Sequence, residues 1–225
     1  MTNLVYLLGG SITDPTARGY VDLVERQLRT VSRITNQTLK FHRESGRPVG
    51  FKLSEVIEEL LELFGPKAAG QGVTVLKRFA AEAQMVGFIG EIRQLISNLL
   101  LNAIEATPPN GRVTVHLYES IDWRNPDRRG YRISIADTGI GIDAQHRSRI
   151  FEPFFTTKGD TGTGLGLWVS AGIIDRAGGS MRVWSTRRPG QSGSCFSVFL
   201  PATVPLPETR GRRRYELTEA TSSVI

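Results

Sequence analysis

At 225 residues, with 40% hydrophobic and 22% charged side chains, the chain has a globular composition that excludes wholesale disorder and suits one large domain or a smaller one with an appendage. A formal charge of +6 and a pI near 9.8 could suit nucleic acid, but basic residues spread along a chain mark a solvated surface, so no specific nucleic-acid partner is expected. The single cysteine, Cys195, excludes an internal disulfide and a multi-cysteine metal site, and no stretch reaches the ~18 apolar residues of a membrane span.

Residues 3 to 8 read as the end of an apolar helix, broken by Gly9-Gly10 and a loop through Pro15. The start NLVYLL lacks the basic flank and cleavage site of a signal peptide, so a cytoplasmic location is expected. A long helix is predicted over 17–43, where Val21, Val24, Leu28 and Val31 repeat at steps of three and four along one seam. Leu23, Ile34 and Phe41 widen that stripe, and a helix of this length with little to pack on in its own chain invites self-association. SGRPVG then interrupts the period, giving a hinge at 46–50.

Mixed α and β patterns follow. Ser54 is placed to cap a helix EVIEELLELF, VTVLKRF alternates as a strand, and GEIRQLISNLLLNAIEA is a helix. That second helix turns Ile92, Leu95, Ile96, Leu99, Leu100, Ala103 and Ile104 to the core. RVTVHLYES and YRISIAD are strands around a charged hairpin loop, IDWRNPDRRG; the helix LGLWVSAGIIDRA and the strands SMRVWST and SCFSVFLP close the pattern. Cys195, inside the last of these, is expected to be a buried, inert thiol. The fold class is α+β: an α/β sandwich with a mixed sheet and helices on one face, preceded by the long helix. The domain organisation expected is a partial helical hairpin over 1–45, the hinge, a compact domain over 51–201 and a disordered tail over 202–225 containing PLPE and RGRRR.

Four segments carry chemistry. In NLLLNAIEA, Asn98 and Asn102 stand one turn apart and face the same way. Amides on an apolar helix face need partners, either neighbouring loops or Mg²⁺, which takes one or two protein oxygens and keeps most of its waters. In IADTGIGI, the Asp137 carboxylate suits a donor such as an adenine amino group, and Gly139 and Gly141 allow close approach to a flat ring, although the same pattern can be a turn. In IFEPFFTTK, at least two of Phe151, Phe154 and Phe155 are expected to anchor the loop, while Thr156, Thr157 and Lys158 stand beside them and Lys158 could reach phosphate or solvent. In DTGTGLGL, Gly162, Gly164 and Gly166 precede a helix whose free N–H groups can face phosphates; it is neither a Walker loop nor a dinucleotide fingerprint.

Taken in this order and spacing, NLLLNAIEA, ADTGIGI, IFEPFFTTK and GTGLGL resemble the N, G1, F and G2 boxes of sensor histidine kinases. These share the Bergerat ATP-binding fold with gyrase, mismatch-repair and heat-shock ATPases. The resemblance covers roughly 51–201 and implies ATP and Mg²⁺ as cofactors. It implies that Asn102 holds the metal with Asn98 beside the phosphates, and that Asp137 binds the adenine amino group with Gly139, Gly141 and Ile142 lining the base. Thr157, Lys158 and the segment Gly162, Thr163, Gly164, Leu165 and Gly166 would close over the phosphates. The helix 17–43 resembles the second helix of the dimerisation and phosphotransfer hairpin, implying a homodimer and a response-regulator receiver domain as partners.

Related ATPases carry a water-activating glutamate one turn before the metal asparagine; here Asn98 stands there and cannot act as a general base, which favours phosphoryl transfer over hydrolysis. Glu105 reads as an exposed helix residue or a contact to a metal-bound water. The acceptor motif of the family is not found, and TNLVYLL resembles the end of the helix that would carry it, so the acceptor histidine is expected upstream of Met1 or on another chain. His42 lies at the seam's end beside Arg43 and is not expected to accept phosphate; His116 and His146 lack an adjacent acid. The rival reading is a nucleotide-binding but catalytically silent module that pairs with or sequesters a partner through its helix.

Overall fold

Helical and strand periods alternate from Val49 onward, and the computed structural model of the chain follows them. It describes Asp14, Val21, residues 47–159, 162–188 and 190–203, and the backbone of 216–217. The chain divides into two compact units, Met1–Ser45 and Gly46–Ile225, and every strand and helix from Val49 onward belongs to the second. The helix expected over 17–43, apart from Val21, and His42 lie outside the described residues.

In chain order the elements are β1 (Val49–Lys52), α1 (Leu53–Gly70), β2 (Thr74–Phe79), β3 (Gln84–Gly87), α2 (Ile89–Ala106), β4 (Arg112–Asp122) and β5 (Asn125–Asp137). A single 3₁₀ turn (Ala144–His146), α3 (Gly166–Arg176), β6 (Ser180–Thr186), β7 (Gly193–Pro201) and β8 (Glu216–Leu217) follow. β1 and β3 form a small antiparallel pair, and the main sheet has the order β2-β4-β5-β7-β6-β8. It is mixed: β2 runs parallel to β4 and β6 to β8, while the central pairings are antiparallel.

Strand alternation builds the core face. Val113, Val115 and Leu117 of β4 stand opposite Asp137, Ile135 and Ile133 of β5, and all six are buried. Ile135 and Ile133 in turn face Phe196 and Val198 of β7. The three helices pack on one another across this face, with α2 in the middle. The seven α2 residues expected at the core are all buried, and each such leucine or isoleucine contributes roughly 1.5–3 kcal/mol of apolar burial.

Five boundaries differ from expectation. Ser54 lies inside α1 and its hydroxyl donates to Glu82 O at 2.9 Å, so the helix has no side-chain cap; Lys52 is its flanking residue. The helix also runs on through Pro66 to Gly70, because buried Ala68 and the bonds from Gln71 N and Val73 N to Ala68 O anchor its last turn. The expected charged hairpin loop is mostly strand, leaving Trp123 and Arg124 as the turn. Trp123 sits between the guanidinium groups of Arg132 and Arg182, at 4.5 and 4.9 Å, and buried Asp122 accepts from Ser180 Oγ at 2.9 Å. These contacts fold the hairpin end onto the sheet rather than into solvent.

The hinge expected over 46–50 gives way to β1 already at Val49 and Gly50, which pair with Gly87 and Val86. Ala202 and Thr203, expected in the tail, are instead held to β3: Ala202 O accepts from Val86 N at 2.9 Å and Thr203 bridges to Val86. Further on, the β6 edge pairs with Glu216 and Leu217. In each place an unpaired strand edge finds a backbone partner. Cys195 is buried and its thiol is pushed up to about 11 by burial and by the nearby Asp137 charge, as expected of an inert side chain.

Candidate functional site

The C-terminal end of β5, the last turns of α2, the segments 150–159 and 162–165 and the first turn of α3 meet at one site. At its inner end stands Asp137, 3% exposed. Its Oδ1 accepts from Gly139 N at 2.8 Å and Ser194 N at 3.2 Å, while no hydrogen bond among the described residues falls on Oδ2. Burial pushes the carboxyl up to about 6, against the two N–H bonds that pull it down. The carboxylate is therefore held by one oxygen, with the other left to take a donor.

Backbone geometry shapes the rest of that end. Ile140 N donates to Ala106 O at 3.2 Å, tying the glycine loop to the end of α2. Gly141 has φ +69°, and a Cβ there would stand 2.1 Å from Thr186 O, so only glycine lets this loop lie against β6. Ile142 N donates to Ser185 Oγ at 2.7 Å; Ser185 donates to Gly193 O at 3.0 Å and stands 2.9 Å from Ser194 Oγ. Ser185 and Ser194, both buried, thus connect the loop to Asp137, a role their place in alternating strands did not reveal.

The outer end is built from charged side chains. Lys158 Nζ donates to Asn102 Oδ1 at 3.1 Å and to Glu105 Oε2 at 2.7 Å, while Lys67 from the last turn of α1 pairs with Glu105 Oε1. Glu105, read from sequence as an exposed helix residue or a contact to metal-bound water, is exposed and also bridges two ammonium groups. Burial raises its pKa, but the hydrogen bonds from Lys158 and Lys67 outweigh that and hold it below the usual carboxylate range. Asn102 Oδ1 is already aimed at a cation, which fits a hard divalent ion needing few protein oxygens. No group of three or more His, Cys, Asp or Glu able to hold a metal occurs among the described residues.

Asn98 and Asn102 differ in role. Asn98 is buried; its amide donates to Gly166 O at 3.0 Å and Ser170 Oγ at 3.3 Å and its oxygen accepts from Gln94 Nε2 at 2.8 Å. It pins the first turn of α3 to α2. The glycine-rich segment leans on the phenylalanine segment: Gly164 has φ +65°, and a Cβ there would lie 2.3 Å from the Phe154 carbonyl carbon. Thr163 Oγ1 accepts from Leu165 N at 3.4 Å, and no hydrogen bond among the described residues falls on the N–H of Thr163, Gly164 or Gly166. Thr156 Oγ1 accepts from Lys158 N at 3.1 Å, and Thr157 beside it is exposed.

Of the three phenylalanines, Phe155 packs on His146 with ring centroids 5.5 Å apart and lies 4.4 Å from the Arg149 guanidinium. Phe151 is half-buried, and Phe154 is exposed with a strained φ of 67°. Lys67, Ser170, Ser185 and Ser194 join the site without a legible motif, whereas Glu105 lies inside NLLLNAIEA.

Residues 88–204 match the family model "Histidine kinase-, DNA gyrase B-, and HSP90-like ATPase". The signal transduction histidine-protein kinase AtoS of Escherichia coli (strain K12) is 31% identical over 199 residues, an overlap of 88% of this chain and 31% of AtoS. The nucleotide-free catalytic domain of the histidine kinase ThkA superposes with a TM-score of 0.60 at 30% identity, over 70% of this chain and 97% of that one. ThkA in complex with the response regulator protein TrrA shares the fold, with a TM-score of 0.59 at 24% identity, over 90% of this chain and 59% of that one. The chain spans less than half the length of the curated relatives it matches.

Proposed function

Because the chain belongs to the family of histidine kinase-, DNA gyrase B- and HSP90-like ATPases, with an ATP-binding domain of the sensor histidine kinase type, we propose that it binds ATP with Mg²⁺ and transfers the γ-phosphate to a protein histidine. The observation that carries the reading is Asp137, a buried carboxylate with one oxygen satisfied by backbone N–H groups and the other without a partner among the described residues. That arrangement suits a single exocyclic amino donor such as that of adenine. Gly139, Gly141 and Ile142 line the base in this reading. Asn102 holds the metal, which supplies neutralisation of phosphate charge when bound. Lys158, Thr157 and the open N–H groups of the 162–166 segment face the phosphates at the start of α3. Asn98, whose polar atoms are all engaged within the protein, stands behind the phosphates and fixes the segment that meets them.

Transfer is favoured over hydrolysis by the acid–base inventory. The side chain one turn before Asn102 is an amide, and the carboxylate one turn after it is held ionised between two lysines, which makes it a poor base for activating water. The acceptor is a histidine other than His116 or His146, on a dimerisation hairpin in cis or in trans. Its phosphate passes onward to an aspartate of a response-regulator receiver domain, and the 17–43 helix carries homodimerisation.

Incubation with γ-labelled ATP and a separate acceptor hairpin from a related kinase tests the reading. Label on the hairpin histidine is expected, surviving His42→Ala and lost in Asn102→Ala. ATP binding without transfer to any histidine would instead support a silent, nucleotide-regulated module. No binding of ATP-Mg²⁺ at all would defeat both.

A further inference from the structure

The outer end of the site holds a charge cluster whose carboxylate, Glu105, has no binding role in the proposed chemistry. Three elements converge there: Lys67 from α1, Glu105 and Asn102 from α2, and Lys158 from the loop before the glycine-rich segment. Lys158 Nζ stands 2.7 Å from Glu105 Oε2 and 3.1 Å from Asn102 Oδ1, and the second Glu105 oxygen takes Lys67. The side chains of Lys158 and Glu105 are 35% and 34% exposed, so this pairing is only partly screened by water. A magnesium ion would bind an oxygen at about 2.0–2.1 Å and repel an ammonium sharing that oxygen. The metal and Lys158 therefore compete for Asn102.

We infer that Glu105 is a positioning residue that holds the Lys158 ammonium on the metal-binding oxygen of Asn102 in the nucleotide-free chain, withholding that lysine from phosphates until a metal displaces it. The inference rests on the ATP-Mg²⁺ reading above and deepens it: Glu105 makes tight binding of a polyphosphate depend on the metal. Lys67 tempers the hold by dividing the carboxylate between two cations. Removing Glu105 loosens the hold on Lys158, whereas removing Lys67 strengthens its capture by the carboxylate. The two changes should move metal-free ATP binding in opposite directions.

The test is titration of the whole chain with ATP and with adenosine in EDTA, for wild type, Glu105→Gln, Lys67→Met, Lys158→Met and the Glu105→Gln/Lys158→Met double variant. Adenosine affinity, which does not involve the phosphate end, reports that each variant is folded. The ratio of ATP to adenosine affinity is expected to rise about two- to fivefold in Glu105→Gln, the size of one half-exposed ion pair, and to fall in Lys67→Met. In the Lys158→Met background Glu105→Gln should change nothing. An equal gain there would reduce the effect to net charge and overturn the inference, as would an unchanged ratio in Glu105→Gln alone. Failure of wild type to bind either ligand, with or without Mg²⁺, would instead overturn the ATP reading on which it rests.

Discussion

The two ends of the site are built from different materials. The inner end is backbone and buried hydroxyls: Asp137 at 3% exposure, N–H groups of Gly139, Ile142 and Ser194, and the Ser185–Ser194 contact. The outer end is long charged side chains, with Lys158 and Glu105 about a third exposed. A flat, neutral ring is best recognised by groups fixed before it arrives, since each is already desolvated and positioned. A phosphate chain carrying a metal brings its own charge, so it can reorder flexible cations at modest cost. Rigidity at one end and exchangeable ion pairs at the other are what the two halves of the proposed ligand would require.

The largest expected effect comes from making Asp137 neutral. In Asp137→Asn the Gly139 and Ser194 N–H groups still require an oxygen, so Oδ1 stays and the amide NH₂ takes the open position. It then faces a donor with a donor. Adenosine and ATP affinity should both fall by about ten- to hundredfold, the value of a hydrogen bond to a charged group. Thermal unfolding should move the other way: at pH 7.5 the variant no longer buries a charge whose pKa is pushed up to about 6, and gains on the order of 2–3 kcal/mol. Titration calorimetry and melting curves check both; loss of binding together with loss of stability would mean that the inner end had collapsed.

Much of this contrast is legible in the sequence. The apolar period of α2, the strand alternation of β4 and β5, and the spacing of Asp137, Gly139 and Gly141 are local features with a single steric reading. What escaped were contacts between residues far apart in the chain. Nothing local to Ser194 reveals that its N–H meets Asp137, 57 positions away. Nothing in GPKAAG shows that Lys67 reaches Glu105, or that the helix survives Pro66 because Ala68 is buried. Asn98 was legible as a polar residue needing partners, but whether those were a ligand or the α3 backbone depended on how α2 and α3 pack. The hairpin misread as a charged loop has the same cause, since Trp123 finds its arginines only in the folded sheet.

A matched pair of glycine substitutions sharpens the contrast. Gly141→Ala forces a side chain to φ +69° with its Cβ 2.1 Å from Thr186 O, and Gly164→Ala does the same at φ +65° against the Phe154 carbonyl carbon, 2.3 Å away. Each costs about 1–3 kcal/mol locally. Gly141→Ala should weaken adenosine and ATP alike, by about tenfold. Gly164→Ala should leave adenosine binding intact and weaken only ATP, because the strain falls on the segment facing the phosphates. Equal losses of both ligands in Gly164→Ala would erase the division between the ends.

Proton uptake at Asp137 tests the inner end without mutation. Its folded-state pKa lies above the ordinary 3.8, near 6, so the folded chain binds a proton more readily than the unfolded one. Stability contributed by this group is therefore fully present below the ordinary value and is lost as pH rises through about 6. Adenosine affinity should run the opposite way, falling up to about tenfold per unit as pH drops below 6, because the protonated carboxyl no longer offers the open oxygen as a full acceptor. Asp137→Asn should flatten the stability profile across that window. A pH-independent adenosine affinity in wild type would remove Asp137 from base recognition.

The smallest effect expected is also the most diagnostic of how the inner end is held. Ser185→Ala removes the acceptor of Ile142 N and the donor to Gly193 O, yet leaves the carboxylate and its two N–H bonds untouched. Of the bonds lost only that to Ile142 N touches the loop lining the base, and one neutral hydrogen bond is worth about 1 kcal/mol, so adenosine affinity should fall by about threefold to fivefold while the melting temperature reflects all of them. The loss should appear equally with ATP, since nothing at the phosphate end depends on Ser185. Were ATP affected more than adenosine, the Ile142 loop would have to communicate with the charged end, and the site would behave as one cooperative unit rather than two.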